Sequence, residues 1–272
     1  MKISISNIAW EPSEEKDVQE IMKDRHIGGV EIAPSKIWAS PSEGQEDQAL
    51  DYRRFWEDQG IRIVALQALL YGRPELTIFE DPQVREETLR YLERIIRLAS
   101  WLGAKALVFG SPKNRKAGHL EPGQAWDLAL DFFCRLGKTA LEYGTVFCIE
   151  PNAQFYDCDF IRTSREGLAL VEAVNHPGFG LHLDSGIMHL NGEEVEQVLE
   201  DCRGRLTHFH VSEPYLGVIG GGGGVDHARL AVQLGKIGYQ GWVSIEMRNG
   251  WEDPNTKTVG RVLDFVRGIY GR

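Results

Sequence analysis

No lysine- or arginine-rich run occurs in the 272 residues. The charge balance also runs the other way: 30 basic side chains face 40 acidic ones, a formal net charge of −10. A surface of that sign repels phosphate backbones unless a local basic patch overrides it, so nucleic acid is not an expected partner. Cysteine is scarce too. The four present, Cys134, Cys148, Cys158 and Cys202, form no CxxC pair and no close framework. They read as reduced, mostly buried thiols, which excludes a disulfide scaffold. No apolar run approaches the ~20 residues that a membrane-spanning helix needs, so no membrane partner is expected. The opening MKISISNIAW lacks the apolar core and small-residue cleavage site of a signal peptide, and a cytoplasmic protein is expected. Linkers and low-complexity tails are absent as well, apart from the five glycines Gly220–Gly224, so a single domain over residues 1–272 is expected.

What is present is a strict alternation of short β-rich runs with longer helical ones. The runs are Ile3–Ile8, Gly29–Ala33, Ile61–Leu66, Lys105–Phe109, Val146–Ile149, Gly180–Leu183, Leu206–Val211 and Trp242–Met247. Helical patterns separate them, among them Pro82–Leu102 and Gln124–Tyr143, and a last one covers Thr256–Tyr270. Short, mostly apolar strands alternating with helices predict a parallel sheet buried on both faces. Eight such units in this length predict an α/β chain closed as one (β/α)₈ TIM barrel. Gly103, Gly144, Gly238 and Gly241 lie between helix and strand, where helices end. Pro82, Pro122 and Pro254 lie where helices begin.

In such a barrel, chemistry sits at the carboxyl ends of the strands and in the loops that follow. Strand five runs into Glu150 (CIEPN), six into Asp184 (LHLDSG), seven into His210 (FHVSEP) and eight into Glu246 (SIEMR). Any one acid there could cap a helix or pair with Arg162 or Arg248. Four metal-competent side chains at one layer of one rim point instead to a shared divalent ion, because bunched carboxylates repel one another unless something neutralises them. Three carboxylates and one imidazole suit Mn²⁺, with Mg²⁺ or Co²⁺ as alternatives. A structural zinc site would show cysteines or several histidines.

Further candidates surround this rim. His182 and His208 each stand two residues before a quartet member and so share its face of the strand. They read equally as partners of the ligands or as histidines of the barrel core. Glu31 at the end of strand two could reach substrate hydroxyls or pair with a base, and Gln67 after strand three could do likewise; both read equally as packed residues. Trp10, Trp38 and Phe109 are candidates for an apolar wall against a sugar face, or equally for core packing. Lys113 and Arg115 in the SPKNR loop could bind a phosphate or carboxylate, or compensate charge. Arg248 is a further substrate-binding candidate. His227 follows the glycine run and could reach the pocket, although Asp226 as a helix cap is the simpler reading. The glycine run reads as a closing loop or as an insertion.

The order and spacing of Glu150, Asp184, His210 and Glu246 resemble the metal quartet of the ketose 3-epimerases, within the xylose isomerase-like barrel superfamily. The resemblance covers the whole chain. It implies a metal-dependent sugar isomerase or epimerase acting on a small carbohydrate, in a family whose members form dimers or tetramers. Carried onto these residues, it implies that Glu150 and Glu246 are the acid/base pair around an enediolate. Asp184 and His210 would mainly hold the ion. Two positions depart from the pattern. The epimerases carry a substrate-binding His three residues after the metal Asp, where this chain has Ile187, its nearest histidine being His189. They also carry a Glu six residues after the first metal Glu, where this chain has Tyr156. The alternatives are a metal-dependent lyase or dehydratase on a related sugar acid or cyclitol, or a non-catalytic sugar-binding barrel. An endonuclease IV-like nuclease would need extra histidines where this chain has Gln67 and SPKNR, and a basic face that it lacks.

Overall fold

The computed structural model describes residues 1–271. Eight strands, β1 Lys2–Ser6, β2 Gly29–Ile32, β3 Arg62–Leu66, β4 Ala106–Phe109, β5 Val146–Ile149, β6 Phe179–Asp184, β7 Leu206–Ser212 and β8 Trp242–Glu246, pair in sequence order. All pairings are parallel, and β1 pairs with β8, so the sheet closes. The helices are α1 Glu15–Asp24, α2 Glu46–Glu57, α3 Pro82–Leu102, α4 Pro122–Glu142, α5 Ser164–Val174, α6 Ser185–Leu190, α7 Val195–Asp201, α8 His227–Lys236 and α9 Asn255–Tyr270. None among the described residues is long and apolar enough to cross a membrane.

The predicted strands and helices stand within a few residues of these bounds, and local chemistry explains their ends. Pro82 and Pro122 are the first residues of α3 and α4, where no helical N–H is needed. Pro254 instead occupies the cap position before α9. Gly103 closes α3 in the left-handed region, at φ 81. Gly241 departs from expectation. The left-handed residue after α8 is Gly238, while Gly241 packs under the Tyr239 phenol, where a Cβ would collide.

The main core lies between sheet and helices and takes in Trp56, Leu92, Phe133, Phe147, Leu181 and Val262. A small second cluster, Val64, Ala65, Ala106 and Cys148 with Trp242 against it, is separate from this layer. Other buried positions are polar: Ser4, Ser6, Glu31, His182, His208, His210 and Ser244 are all at most 2% exposed. Glu31 on β2 meets His208 and His210 on β7 and Ser244 on β8. Those strands are not neighbours of β2, so the contacts cross the barrel interior.

The close seating of α4 on β6 depends on the absence of a side chain at Gly178, where a Cβ would strike the Gly137 carbonyl. Gly178→Ala is expected to destabilise the protein by about 1–3 kcal/mol, because backbone rather than a flexible side chain must yield. Gly235→Ala near the end of α8, with nothing within 4 Å of the added carbon, should instead stabilise it by about 0.5–1 kcal/mol. Urea unfolding of the two variants checks both signs.

Candidate functional site

Barrel closure brings the predicted quartet together at one rim, although strand register pairs only two of its members directly. Asp184 and His210 are register partners on β6 and β7, and Glu246 on β8 stands opposite Ser212. Glu150 directly follows β5, with its N–H donating to the Phe109 carbonyl at 3.1 Å. One ligand atom from each of the four lies within 4.8 Å of the others. The imidazole is central. His210 Nδ1 is 3.2 Å from Glu246 Oε2, 3.8 Å from Glu150 Oε1 and 3.9 Å from Asp184 Oδ2.

The supporting contacts leave ligand atoms free. Asp184 Oδ1 accepts from the Ser212 hydroxyl at 2.7 Å and from the Ile187 N–H at 2.7 Å, which makes it the cap of α6. Asp184 Oδ2 and His210 Nδ1 are buried and have no hydrogen-bond partner. Such orphaned atoms are costly in an apolar interior, and a shared cation satisfies both. Asn152 Nδ2 donates to Glu150 Oε2 at 3.1 Å. Gly110 makes room for this carboxylate, because a Cβ there would collide with Glu150 Oε2.

Behind the imidazole, His210 Nε2 lies 2.9 Å from Glu31 Oε2, and Glu31 is fully buried. A carboxylate on one ring nitrogen fixes the tautomer that presents the other nitrogen to a metal. Burial alone would raise the Glu31 carboxyl, but the His210 and His208 charges and hydrogen bonds hold it well below the usual range. Burial would likewise lower His210, yet Glu31 and Glu246 hold it well above an ordinary histidine. Burial, then the Glu246 and Glu150 charges, pushes Asp184 up to about 7. Burial also raises Glu150 and Glu246, against the pull of His210. This mutual repulsion is the electrostatic reason for a counter-charge at the centre.

The other predicted residues divide. His182 belongs to the floor of the cluster: its ring centroid is 4.1 Å from that of His210, and Nε2 is 3.4 Å from Glu150 Oε1. His208 faces Glu31 at 3.4 Å. Glu31 is thus a partner of His210 sealed in the barrel, the pairing with a base and not the reach to substrate hydroxyls. Arg115 is not on the rim either. It is fully buried, and its guanidinium donates to the carbonyls of Phe109, Glu150 and Ile161. The loop turns it inward to satisfy strand-end backbone. Lys113 stays exposed beside a neighbouring cavity. Trp10 and Phe109 are core residues, and Trp38 sets its ring edge against Tyr52. None of the three lines the pocket. His227 is buried between Glu213 Oε1, at 3.2 Å, and the Tyr270 hydroxyl, at 3.0 Å. It meets the pocket only through Glu213, while Asp226 caps α8. Gln67 donates to the Ser6 hydroxyl and, with Arg248, lines a cavity on the Glu246 side. Neither Arg162 nor Arg248 pairs with a quartet carboxylate.

The pocket itself is a cavity of about 210 Å³, lined by the three quartet acids together with Tyr156, Ile187 and Glu213 among others. Glu213, Ser212 and Asn152 escaped the sequence reading. The first two directly follow the HFHV run, and only the folded chain shows that the Ser212 hydroxyl reaches Asp184. The five glycines are exposed, and part of the run lies against the pocket residue Glu213. Val225 N–H donates to Glu213 Oε2 at 3.3 Å, and a side chain at Gly223 would strike that same carboxylate. A larger cavity of about 650 Å³ is lined by Lys2, Arg62, Lys105 and Trp242, at the ends where strands begin, away from the acid cluster.

The family model described as the xylose isomerase-like TIM barrel matches residues 9–269. A ketose 3-epimerase of Arthrobacter globiformis is 28% identical over 172 residues, which cover 61% of this chain and 57% of that protein. The chain therefore spans little more than half the length of this relative. A probable ketose 3-epimerase of Synechocystis is 27% identical over 274 residues, 98% of this chain and 90% of its own. The solved structure of a D-psicose 3-epimerase with D-tagatose, from Clostridium cellulolyticum H10, superposes with a TM-score of 0.82 at 19% identity over 99% of both chains. At that identity the likeness is one of fold.

If Glu31 orients His210, Glu31→Gln should weaken divalent-cation binding by about 10–100-fold. Titration of the purified variant with Mn²⁺ reads the change. Unaltered affinity would mean that the contact does not orient the ligand.

Proposed function

The chain belongs to the xylose isomerase-like TIM barrel family, and on that premise we propose that it is a divalent-metal-dependent sugar isomerase or epimerase. The observation that carries the reading is the cluster of three carboxylates and one imidazole within 4.8 Å, with two of its ligand atoms orphaned. Glu150, Asp184, His210 and Glu246 would hold one ion, Mn²⁺ by preference, with Mg²⁺ or Co²⁺ as alternatives. Bound there, it supplies Lewis acidity, polarising a carbonyl and stabilising charge that develops on its oxygen.

The protein's own groups move the proton. Glu150 and Glu246 reach the pocket from β5 and β8, on either side of His210. One takes the proton alpha to the carbonyl, leaving an enediolate, and the other returns a proton. Burial raises both carboxyls, which suits groups that must accept and then donate a proton near neutral pH. Asn152 orients Glu150, and Ser212 orients Asp184. Ile187 and Tyr156 line the pocket at the two positions where the sequence departs from the epimerase pattern. An alkyl group and a phenol replace an imidazole and a carboxylate there, so hydroxyl recognition differs. The reading therefore stops at a small carbohydrate, handled in the cytoplasm.

Elemental analysis of the purified protein should find one Mn, Mg or Co per chain, lost in Asp184→Ala. With Mn²⁺ saturating, a responsive sugar should exchange its alpha proton with deuterated solvent. Glu150→Gln and Glu246→Gln should each slow that exchange at least ~10²-fold. Several zinc ions per chain would favour hydrolytic chemistry instead. A chain that takes up no metal even after supplementation would defeat the proposal.

A further inference from the structure

A second cavity adjoins the metal-quartet pocket. It measures about 470 Å³ and shares Glu246 and Leu216 with the first. A substrate held at the quartet therefore has somewhere to extend. The two cavities differ in sign. The first is walled by four carboxylates, those of Glu150, Asp184, Glu213 and Glu246, while the second carries two cations, Lys36 and Arg248.

The two cations are not equivalent. Lys36 is already engaged: its Nζ donates to the Trp10 carbonyl, and Glu11, Glu15 and Glu14 supply its counter-charge. Arg248 has no such partner. Among the described residues no carboxylate lies within ion-pair distance of it, and its guanidinium carbon sits 4.6 Å from the Trp251 ring centroid. Its backbone is fixed by an N–H donated to the Leu216 carbonyl at 3.1 Å. Stacking on an indole holds the planar guanidinium while leaving its edge N–H groups free, the arrangement that presents a fork to a carboxylate or phosphate. Arg248 is two residues beyond Glu246, at most about 7 Å of extended chain. That is the scale of a short carbon chain running from the reacting carbons to a terminal group.

Resting on the isomerase or epimerase reading above, we infer that the substrate is an acidic sugar derivative, its terminal anionic group held by Arg248 in this adjoining cavity. Carboxylate and phosphate share the recognition chemistry, two or three charged oxygens facing one guanidinium fork. An anionic tail would be repelled by the quartet acids, and the free guanidinium offsets that repulsion where the tail leaves the first cavity. Asn249, Ser35 and Gln67 add polar side chains to a cavity lined also by Ile8, Ala33, Ala68 and Leu216.

Calorimetric titration of the Mn²⁺-loaded protein with matched probes tests the inference: D-fructose as the neutral sugar, 5-keto-D-gluconate as carboxylate and D-fructose 6-phosphate as phosphate. At least one anionic probe should bind tenfold or more tighter than D-fructose. Arg248→Gln should reduce that advantage to within about twofold and leave D-fructose unchanged. Which probe gains identifies the group. Equal affinity for neutral and anionic probes overturns the inference, as does an anionic preference that survives Arg248→Gln, or no binding of either anionic probe. The catalytic reading is judged separately, by alpha-proton exchange and its loss in Glu150→Gln. Exchange with a neutral sugar, lost in Glu150→Gln, with no tighter binding of either anionic probe, would leave that reading intact and remove this one.

Discussion

A single contact inside the barrel, Glu31 Oε2 against His210 Nε2 at 2.9 Å, sets the terms for everything at the rim. It turns His210 so that Nδ1 faces the three quartet carboxylates. It also places a full negative charge where no water reaches, and an isolated buried carboxylate is among the most costly groups a fold can carry. The surrounding strands answer that cost. His208 and Ser244 add partners to the same oxygen. The interior of this barrel is consequently a polar column built around one acid, with the alkyl side chains displaced to the small cluster around Val64 and Cys148 and to the sheet–helix layer outside.

The same electrostatics govern the rim. Three carboxylates crowd one imidazole, and burial raises each above its ordinary range, with the Glu246 and Glu150 charges adding to it at Asp184 and the Glu150 charge at Glu246. The central imidazole relieves this only in part. Ser212 and Asn152 each bond one oxygen of an acid, and the inward oxygen of Asp184 has no partner. The arrangement is one whose self-energy falls when a cation enters, so affinity for the ion and strain without it have a common origin.

The quartet was legible because each member stands where a short apolar run ends, and parallel strands in one barrel bring such ends to one layer. Helix ends were legible for a related reason: Pro82, Pro122 and Gly103 act through their own backbone. Long-range pairing was opaque. Nothing near Glu31 in the chain signals that it turns inward to meet residues on β7 and β8. Arg115 reads as a loop cation beside Lys113, yet one is sealed under three carbonyls and the other faces solvent. That difference arises from where the loop lands on β5, which no local pattern encodes. Of the two readings open for Trp10, Trp38 and Phe109, core packing holds, because large aromatics gain more by filling the sheet–helix layer than by lining an open pocket.

Barrel closure has a kinetic corollary. The groups that make the acid cluster workable are drawn from β2 near the start of the chain and from β8 near its end, and they converge only once β1 has paired with β8. A nascent chain lacking its last strand has Glu31, His210 and Asp184 but neither the Ser244 hydroxyl nor the Glu246 carboxylate. On the proposed function, any fragment short of that closure would be a poor chelator and the intact fold a good one. Ion capture would then be a late event in maturation, selecting chains whose two ends have met and, by mass action, drawing the folding equilibrium toward them.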